Sequence, residues 1–456
     1  MPAIIDTHVH LRETRDELVE DLQRKAYYGV GVVLSLGRGS SDMAFQVRDE
    51  VIPNAARYRT VGRGITAPEP GRTEIPFWIS TEEEARAAVQ ELAPRNVDMV
   101  KIWVDDRNGQ FEKLTPELYG SVIDEAHQQG LRVTAHVYTL EDAKGLLRAG
   151  LDAFAHGIRD MDVDDEVVEL FAERPTVVLV PNLPNPGVAT DLSWLSGTIP
   201  PDELQQMQER SVDRPAAQEA FGIQARNLAR LSAEGVTIAF GTDGGAGWSP
   251  HAEMEDMVRA GMTTADVIVS ATGNSADLLA LDDVGTLEAG KSADLIVLDG
   301  GADKDGGLEM RRLRIVLEKN ARAELAALVA GGQLGRLEVV VTLAEGAHFE
   351  LGGITLGGGD TTREIVTRMA HEKPGATSNQ TVRSVHWGKG TGNFLGRIDV
   401  ARDAQKTDAA QSFKGLLLEK GASVNSVPQL EIFADDVQCA HGASVGQLDE
   451  SARFYM

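Results

Sequence analysis

Cysteine is almost absent from this chain: Cys439 is the single example. One thiol cannot form an internal disulfide, which excludes a disulfide-stapled framework and fits a reducing, cytoplasmic setting. It also excludes a four-cysteine iron–sulfur site built by this chain alone. Long apolar runs are missing too. Nothing approaches the roughly 18 consecutive apolar residues of a membrane span, so no membrane partner is expected. The opening MPAIIDTHVH has neither a basic region nor a cleavable apolar stretch, and does not read as a signal peptide. Positive charge is scarce. Acidic residues outnumber basic ones 70 to 44, giving a net charge of −26. Such a surface repels phosphates, which argues against a nucleic-acid partner but does not oppose a cationic metal.

The charge is unevenly placed. Residues 1–300 hold 50 acidic and 26 basic side chains, and the remainder 20 and 18. That change is the first sign of a boundary near residue 300. With 456 residues, the chain has room for one large domain and one smaller one.

Up to about residue 275, short apolar strands alternate with amphipathic helices. The strand candidates are Ala3–His8, Gly31–Leu36, Tyr58–Ile65, Met99–Val104, Arg132–His136, Ala153–His156, Thr176–Pro181 and Thr237–Thr242. Helices are expected over segments such as Thr81–Leu92, Pro116–Gln129 and Leu140–Ala149. Thr115-Pro116 resembles an N-cap followed by proline at the first helical position, and Gly130 and Gly150 stand where helices stop. Eight strands with intervening helices predict a (β/α)8 TIM barrel over residues 1–275, whose site lies at the C-terminal strand ends. A doubly wound sheet is the alternative, but it would not naturally converge groups from strands one, four, five, six and eight. Residues 276–299 are turn-rich and end in the apolar strand Ala293–Leu298, expected as a remnant of a small β-sandwich. Residues 300–310 read as a junction, with GGADKDGG at its front. Residues 311–456 show short β-rich stretches at Leu313–Leu317, Leu337–Leu343, Ala347–Leu351, Val382–His386, Phe394–Val400, Gly415–Leu418 and Gln429–Ala434. Their pattern allows a sandwich, a barrel or a stacked parallel β-helix.

Chemistry concentrates at the strand ends of the first part. In His8-Val-His10 two imidazoles two residues apart on a strand point to one side and can share a metal. Lys101 lies inside an apolar strand, where an amine is costly unless its charge is removed or paired. Reaction with CO2 would give a carbamate able to bridge two cations; a lysine reaching solvent is the bland reading. His136 and His156 each end an apolar strand, and Asp243 precedes a glycine turn. Each alone is more often a packed histidine or an ordinary turn aspartate. Six ligand-type residues on five barrel strands, all at the functional ends, make the set informative together.

IIDTHVH, VKIWVDD, VTAHVYT, AFAHGIRD, FGTDGG and VGTLEAGKSADLIVLD resemble the amidohydrolase superfamily of metal-dependent hydrolases over residues 2–299. The resemblance implies two divalent metal ions, usually zinc, bridged by a carboxylated Lys101. His8, His10 and Asp243 would hold one, and His136 and His156 the other. It further implies a metal-bridging hydroxide that attacks a carbonyl, with Asp243 shuttling the proton. One-metal, deaminase-like members carry a glutamate three residues after the strand-five histidine. Here that position is Thr139, and Glu141 is out of step, which favours two-metal cleavage of an amide (C–N) bond. DEAHQQGLRVTAH and RPTVVLVPNLP are closest to members that cleave dipeptides or N-acyl amino acids. Tyr138, Asn182 and His251 follow strands five, seven and eight and are candidates for the substrate pocket, with loop packing as the other reading; for His251, anchoring of a loop–helix junction is favoured. Trp103 and Trp248 are candidates for its wall, with core or rim packing somewhat favoured.

TSNQTVRSV, AQKTDAAQSFKGLLL, VPQLEIFADDVQCAHGASVGQLDE and ARFYM resemble the C-terminal half of the SufB/SufD family of iron–sulfur cluster assembly proteins, closer to SufD. That resemblance implies a right-handed parallel β-helix, pairing with SufB- and SufC-like proteins, and a cluster-related role for the Cys439–His441 motif. A packed thiol and histidine is the bland reading of the pair. Both resemblances are partial: the first lacks preceding strands of a β-sandwich, the second the front and end of its domain. The favoured reading is a cytoplasmic hydrolase acting on a small amide or peptide; the alternatives are an iron–sulfur assembly component and an inactive chimeric fusion.

Overall fold

The computed structural model describes residues 2–39, 41–286, 288 and 307–447. The chain divides into two compact units, residues 1–297 and 298–456. The strand expected over Ala293–Leu298, the seam over residues 300–306 and the terminal ARFYM lie outside the described residues.

In the first unit every named strand pairing is parallel. Ile4–Val9 pairs with Val30–Ser35, which pairs with Arg57–Thr60. A second run links Ile65–Thr66, Val100–Val104, Val133–Val137, Ala153–Phe154, Val178–Leu179 and Thr237–Ile238 in that order. The third barrel strand is thus split: Arg57–Thr60 serves one neighbour and Ile65–Thr66 the other. Residues between them bond to the end of strand two, through Gly39 N to Gly62 O (3.1 Å) and Gly64 N to Gly37 O (3.1 Å). Closure comes from Thr7 N to Phe240 O (3.0 Å) and Asp243 N to His8 O (2.7 Å). The result is the expected eight-position β/α barrel, with an added short strand Phe77–Trp78 beside Ile65–Thr66. Valine, isoleucine and leucine on both faces of these strands form the buried core, as parallel strands covered on both sides require.

Local sequence sets the helices around the barrel. Thr81 and Glu84 form a reciprocal capping box at the start of Glu82–Leu92. Thr139 accepts from Asp142 N to cap Leu140–Ala149, and Gly150, at φ 105°, ends that helix in the left-handed region. Thr139 therefore has a structural task at the position where deaminase-like members carry an acid. Thr115 stands at the N-cap of Pro116–Gln128 as expected, but makes no side-chain cap bond.

The second unit is two parallel sheets of five strands each, built from alternate strands in chain order. One contains Leu308–Leu317, Leu334–Leu343, Thr362–His371, Thr391–Val400 and Ser423–Ile432. The other contains Arg322–Val329, His348–Gly357, Thr377–His386, Asp408–Leu417 and Gln438–Gln447. Each turn of chain lays one strand on each sheet, the stacked parallel arrangement of a β-helix. Inward positions alternate along the strands, so that Val339, Val341 and Leu343 are buried on one and Phe349 and Leu351 on another. Phe394 and Phe413 stack between the sheets with centroids 5.6 Å apart. Three of these strands, Arg322–Val329, Thr362–His371 and Gln438–Gln447, do not stand out in the sequence.

Candidate metal centre

Six side chains expected as ligands gather at one end of the barrel. His8 Nε2 and His10 Nε2 lie 3.2 and 2.9 Å from Asp243 Oδ1. His156 Nε2 lies 3.7 Å from Asp243 Oδ2. The His136 and His156 rings are 4.5 Å apart, and the His8 and His156 rings 5.1 Å. Ligand atoms of His8, His10 and Asp243 all fall within 4.8 Å of one another, the spacing of a group that can hold one cation. Lys101 is fully buried and its Nζ has no hydrogen-bond partner.

Electrostatics suits this set to a cation. Burial pushes the His8 imidazole down, His156 well down and His136 to about 3, so all three are held neutral, the form that binds metals. Burial also lowers Lys101 to about 7, which makes a neutral amine accessible near neutral pH. For Asp243, burial pushes the carboxyl up, but its contacts with His10 and His8 outweigh this and keep it ionised. His8 Nδ1 donates to Asn182 Oδ1 (3.0 Å), which turns an unprotonated Nε2 toward a carboxylate oxygen. Two electron-pair donors come this close without mutual repulsion when a cation joins them. The residues therefore fit a metal.

Partners behind the ligands fix their orientation, the arrangement expected around metal-binding histidines. His136 Nε2 donates to Asp105 Oδ2 (3.0 Å), leaving Nδ1 for the centre. Asp105 also accepts from Arg107 N and Nη1 at 2.9 and 2.6 Å, and Arg107 Nε reaches buried Glu69 at 2.8 Å. Glu69 also pairs with Arg72. Behind His8, Asn182 sits beside Leu183, whose N–H donates to buried Glu253 (2.9 Å). Asp6 accepts from Thr242 N (3.0 Å) and Thr242 Oγ1 (2.9 Å) and pairs with Lys25 Nζ (2.9 Å). Both charges of that pair are wholly buried. Gly241 permits the crossing of strands one and eight, since a Cβ there would lie 2.9 Å from His8 Cβ.

A cavity of about 360 Å³ opens over the centre, lined by His8, His10, His136, His156 and Asp243 together with Arg38, Thr66, Glu69, Arg72, Thr73, Pro76, Trp103 and Arg107. Trp103 is one wall, the less favoured of the two readings given for it above. Its ring fills the space above Gly37 and Gly64, where a Cβ would meet it at 2.4 and 2.1 Å, and Lys101 Nζ lies 5.5 Å from its centre. Asn182, Tyr138 and His251 are not among the residues lining this cavity. Asn182 is buried and committed to His8. Tyr138 is part-exposed and its carbonyl accepts from Arg159 N (2.9 Å). His251 Nε2 donates to Tyr28 O (2.8 Å) and packs on Trp194, the anchoring task favoured for it above. Trp248 lines a separate cavity beside residues 185–214. Asp105, Glu253, Arg107 and Arg159 went unmarked in the sequence. Asp105 stood inside the quoted motif VKIWVDD, and Arg159 inside AFAHGIRD, but nothing local tells what they face.

In the second unit, Cys439 and His441 alternate along Gln438–Gln447, on the same side of the strand, opposite Ala409 and Gln411. Cys439 is half-buried against the core and His441 is exposed. Burial pushes the Cys439 thiol up, which disfavours a reactive thiolate.

Two expected outcomes follow. Asp105→Asn should weaken metal binding by about 10- to 100-fold, as loss of such partners does; titration with a metal-competing chelator measures it. Burial raises the Glu253 carboxyl well above its ordinary range, so the folded state keeps a proton that the unfolded chain has lost. Stability falls as pH rises from the unfolded value toward the folded one. Glu253→Gln keeps the acceptor for Leu183 and removes the titration. Thermal unfolding should show it stabilised at pH 8 and little changed at pH 4.

Comparison with known proteins agrees with this geometry. Residues 1–335 match the model of the amidohydrolase family, and the chain belongs to that family. Residues 259–456 match the SufBD core domain of the SUF system for FeS cluster assembly. An uncharacterised protein of Mycobacterium bovis is 30% identical over 293 residues, covering 59% of this chain and 72% of that one. The iron–sulfur cluster assembly protein SufD of Escherichia coli is 33% identical over 143 residues, 31% of this chain and 34% of SufD; the chain spans about a third of that protein's length. Among solved structures, a candidate prolidase from Bifidobacterium longum is similar with a TM-score of 0.52 and 26% identity, over 64% of this chain and 73% of that one. No helix among the described residues is long and apolar enough to cross a membrane.

Proposed function

We propose that this chain is a metal-dependent hydrolase that cleaves an amide bond of a dipeptide or N-acyl amino acid. The convergence of His8, His10 and Asp243 within 4.8 Å, beside His136, His156 and a buried, unpartnered Lys101, carries this reading. His8, His10 and Asp243 would hold one divalent ion, and His136 and His156 a second. Lys101, as a carbamate, would join them; its burial favours the neutral amine that adds to CO2. Zinc suits neutral imidazole and carboxylate donors. Bound there, the ions supply Lewis acidity, polarising the scissile carbonyl and acidifying a water. Asp243 accepts the proton of the attacking water and returns it to the nitrogen as the C–N bond breaks. Asn182 and Asp105 hold two of the histidines at fixed angles throughout. Trp103 shields Lys101 from solvent.

The test is hydrolysis of a panel of dipeptides and N-acyl amino acids by the zinc-loaded protein. Release of free amino acid, abolished by chelation and restored by zinc, is expected. Metal-loaded protein inert across the whole panel would reject the reading. The second unit favours an additional role: its stacked parallel strands and the same-side Cys439 and His441 suit pairing with SufB- or SufC-like partners. Co-purification from cells expressing those partners tests it, and its absence counts against that role.

A further inference from the structure

An imidazole that binds a metal through one nitrogen carries a proton on the other, and that N–H needs an acceptor. His8 and His136 have theirs in Asn182 and Asp105. His156 turns Nε2 toward Asp243 (3.7 Å) and leaves Nδ1 buried with no partner among the described residues. Besides the cavity over the centre, His156 lines a second one of about 10 Å³, formed with residues of the strands Ala153–Phe154 and Val178–Leu179 and of the helix Pro215–Ala233. That volume suits a single water. Its walls are mostly apolar, with Phe154, Phe171, Leu179 and Leu228 among them. Two amides interrupt them. Asn227 is committed: its Oδ1 accepts from Val163 N (2.8 Å), and its Nδ2 donates to Ile158 O (3.1 Å) and Met161 O (2.9 Å). Gln224 is not, since its Oε1 is buried without a partner among the described residues. That oxygen stands close to the strand end, where a Cβ on Gly157, the residue after His156, would lie 3.8 Å from it. The same helix buries Phe221, Leu228 and Leu231 around it. A glutamine oxygen in such a place is costly unless something donates to it.

We propose that Gln224 is a positioning residue for His156 and acts through one water held in this second cavity. The water accepts from His156 Nδ1–H and donates to Gln224 Oε1. A buried donor and a buried acceptor on one mostly apolar wall are what a single water joins. The bridge fixes the tautomer that leaves the Nε2 lone pair facing the centre, and it fixes the angle of the ring. Asn182 and Asp105 perform that task for their histidines by direct contact. The inference rests on His156 being a metal ligand and requires nothing of the substrate.

A crystal structure of the zinc-loaded protein is the first test, with a water expected within hydrogen-bond distance of both His156 Nδ1 and Gln224 Oε1. A dry cavity, or His156 Nδ1 bonded to another group, would overturn the proposal. Zinc affinity, measured by competition with a chelator, is the second. Gln224→Leu keeps the bulk and removes the acceptor, and should weaken one of the two zinc equivalents by about 10- to 100-fold while sparing the other. Gln224→Glu keeps an acceptor and should stay within about threefold of wild type. The two equivalents are compared within one preparation, so partial misfolding of a variant does not produce the difference. A packing role alone would lower the unfolding temperature of Gln224→Leu and leave both zinc affinities unchanged. That result would overturn the proposal, as would equal weakening of both equivalents; beside normal amide hydrolysis, either rejects this inference and spares the hydrolase reading. Zinc affinity that responds to Gln224 in a protein that cleaves no amide would keep the inference and reject the hydrolase reading instead. Wild type that takes up no zinc would overturn both.

Discussion

Asp243→Asn should lower kcat by about 10³-fold or more, combining loss of a proton carrier with loss of an anionic ligand. The backbone makes this substitution informative. Asp243 has φ 53°, a left-handed conformation that asparagine adopts as readily as aspartate. Its N–H bond to His8 O is a main-chain contact and survives the change. The variant should therefore fold, with an unfolding temperature near that of wild type, while hydrolysis collapses. Retention of more than a tenth of wild-type kcat would remove Asp243 from the proton path.

The second large effect is on stability. Lys25→Met leaves Asp6 ionised, wholly buried and without its cation, a change that costs about 3–5 kcal/mol in such pairs. Asp6 holds Thr242 next to Asp243 and lies two residues before His8, so the damage reaches the centre as well as the fold. Denaturant unfolding should show the loss. The double variant Lys25→Met with Asp6→Asn should recover part of it, because no uncompensated charge then remains. A single variant within about 1 kcal/mol of wild type would mean that Asp6 finds other compensation.

The candidate ligands were legible in the sequence because five of them stand at or just after the end of a short apolar strand, with Lys101 inside another, and a barrel brings such strands together. His136 closing Val133-Thr134-Ala135 is enough to place it. The groups that aim the ligands were not legible, since their contacts join distant segments: Asn182 reaches His8 across 174 positions and Glu253 reaches Leu183 across 70. Asn182 read as a pocket candidate because it follows strand seven; burial and a single hydrogen bond give it another task. Arg159 was hidden for a related reason, as an arginine on a loop is ordinarily solvated, and the burial of its Nε without a partner is visible in three dimensions alone. In the second unit, Arg322–Val329 reads RAELAALV, rich in helix formers, and its strand conformation comes from stacking on His348–Gly357 rather than from propensity. The split of barrel strand three follows from Gly62 and Gly64 between its halves, where the chain bonds back to Gly37 and Gly39 and makes room for Trp103.

The central claim is that this chain holds two metal ions through a bridging Lys101. Metal analysis of protein purified from zinc-supplemented cells tests it most directly. The account predicts about two zinc equivalents per chain in wild type and a clear drop in Lys101→Ala. Substantially less than one equivalent in wild type, or the same content in both proteins, would contradict it.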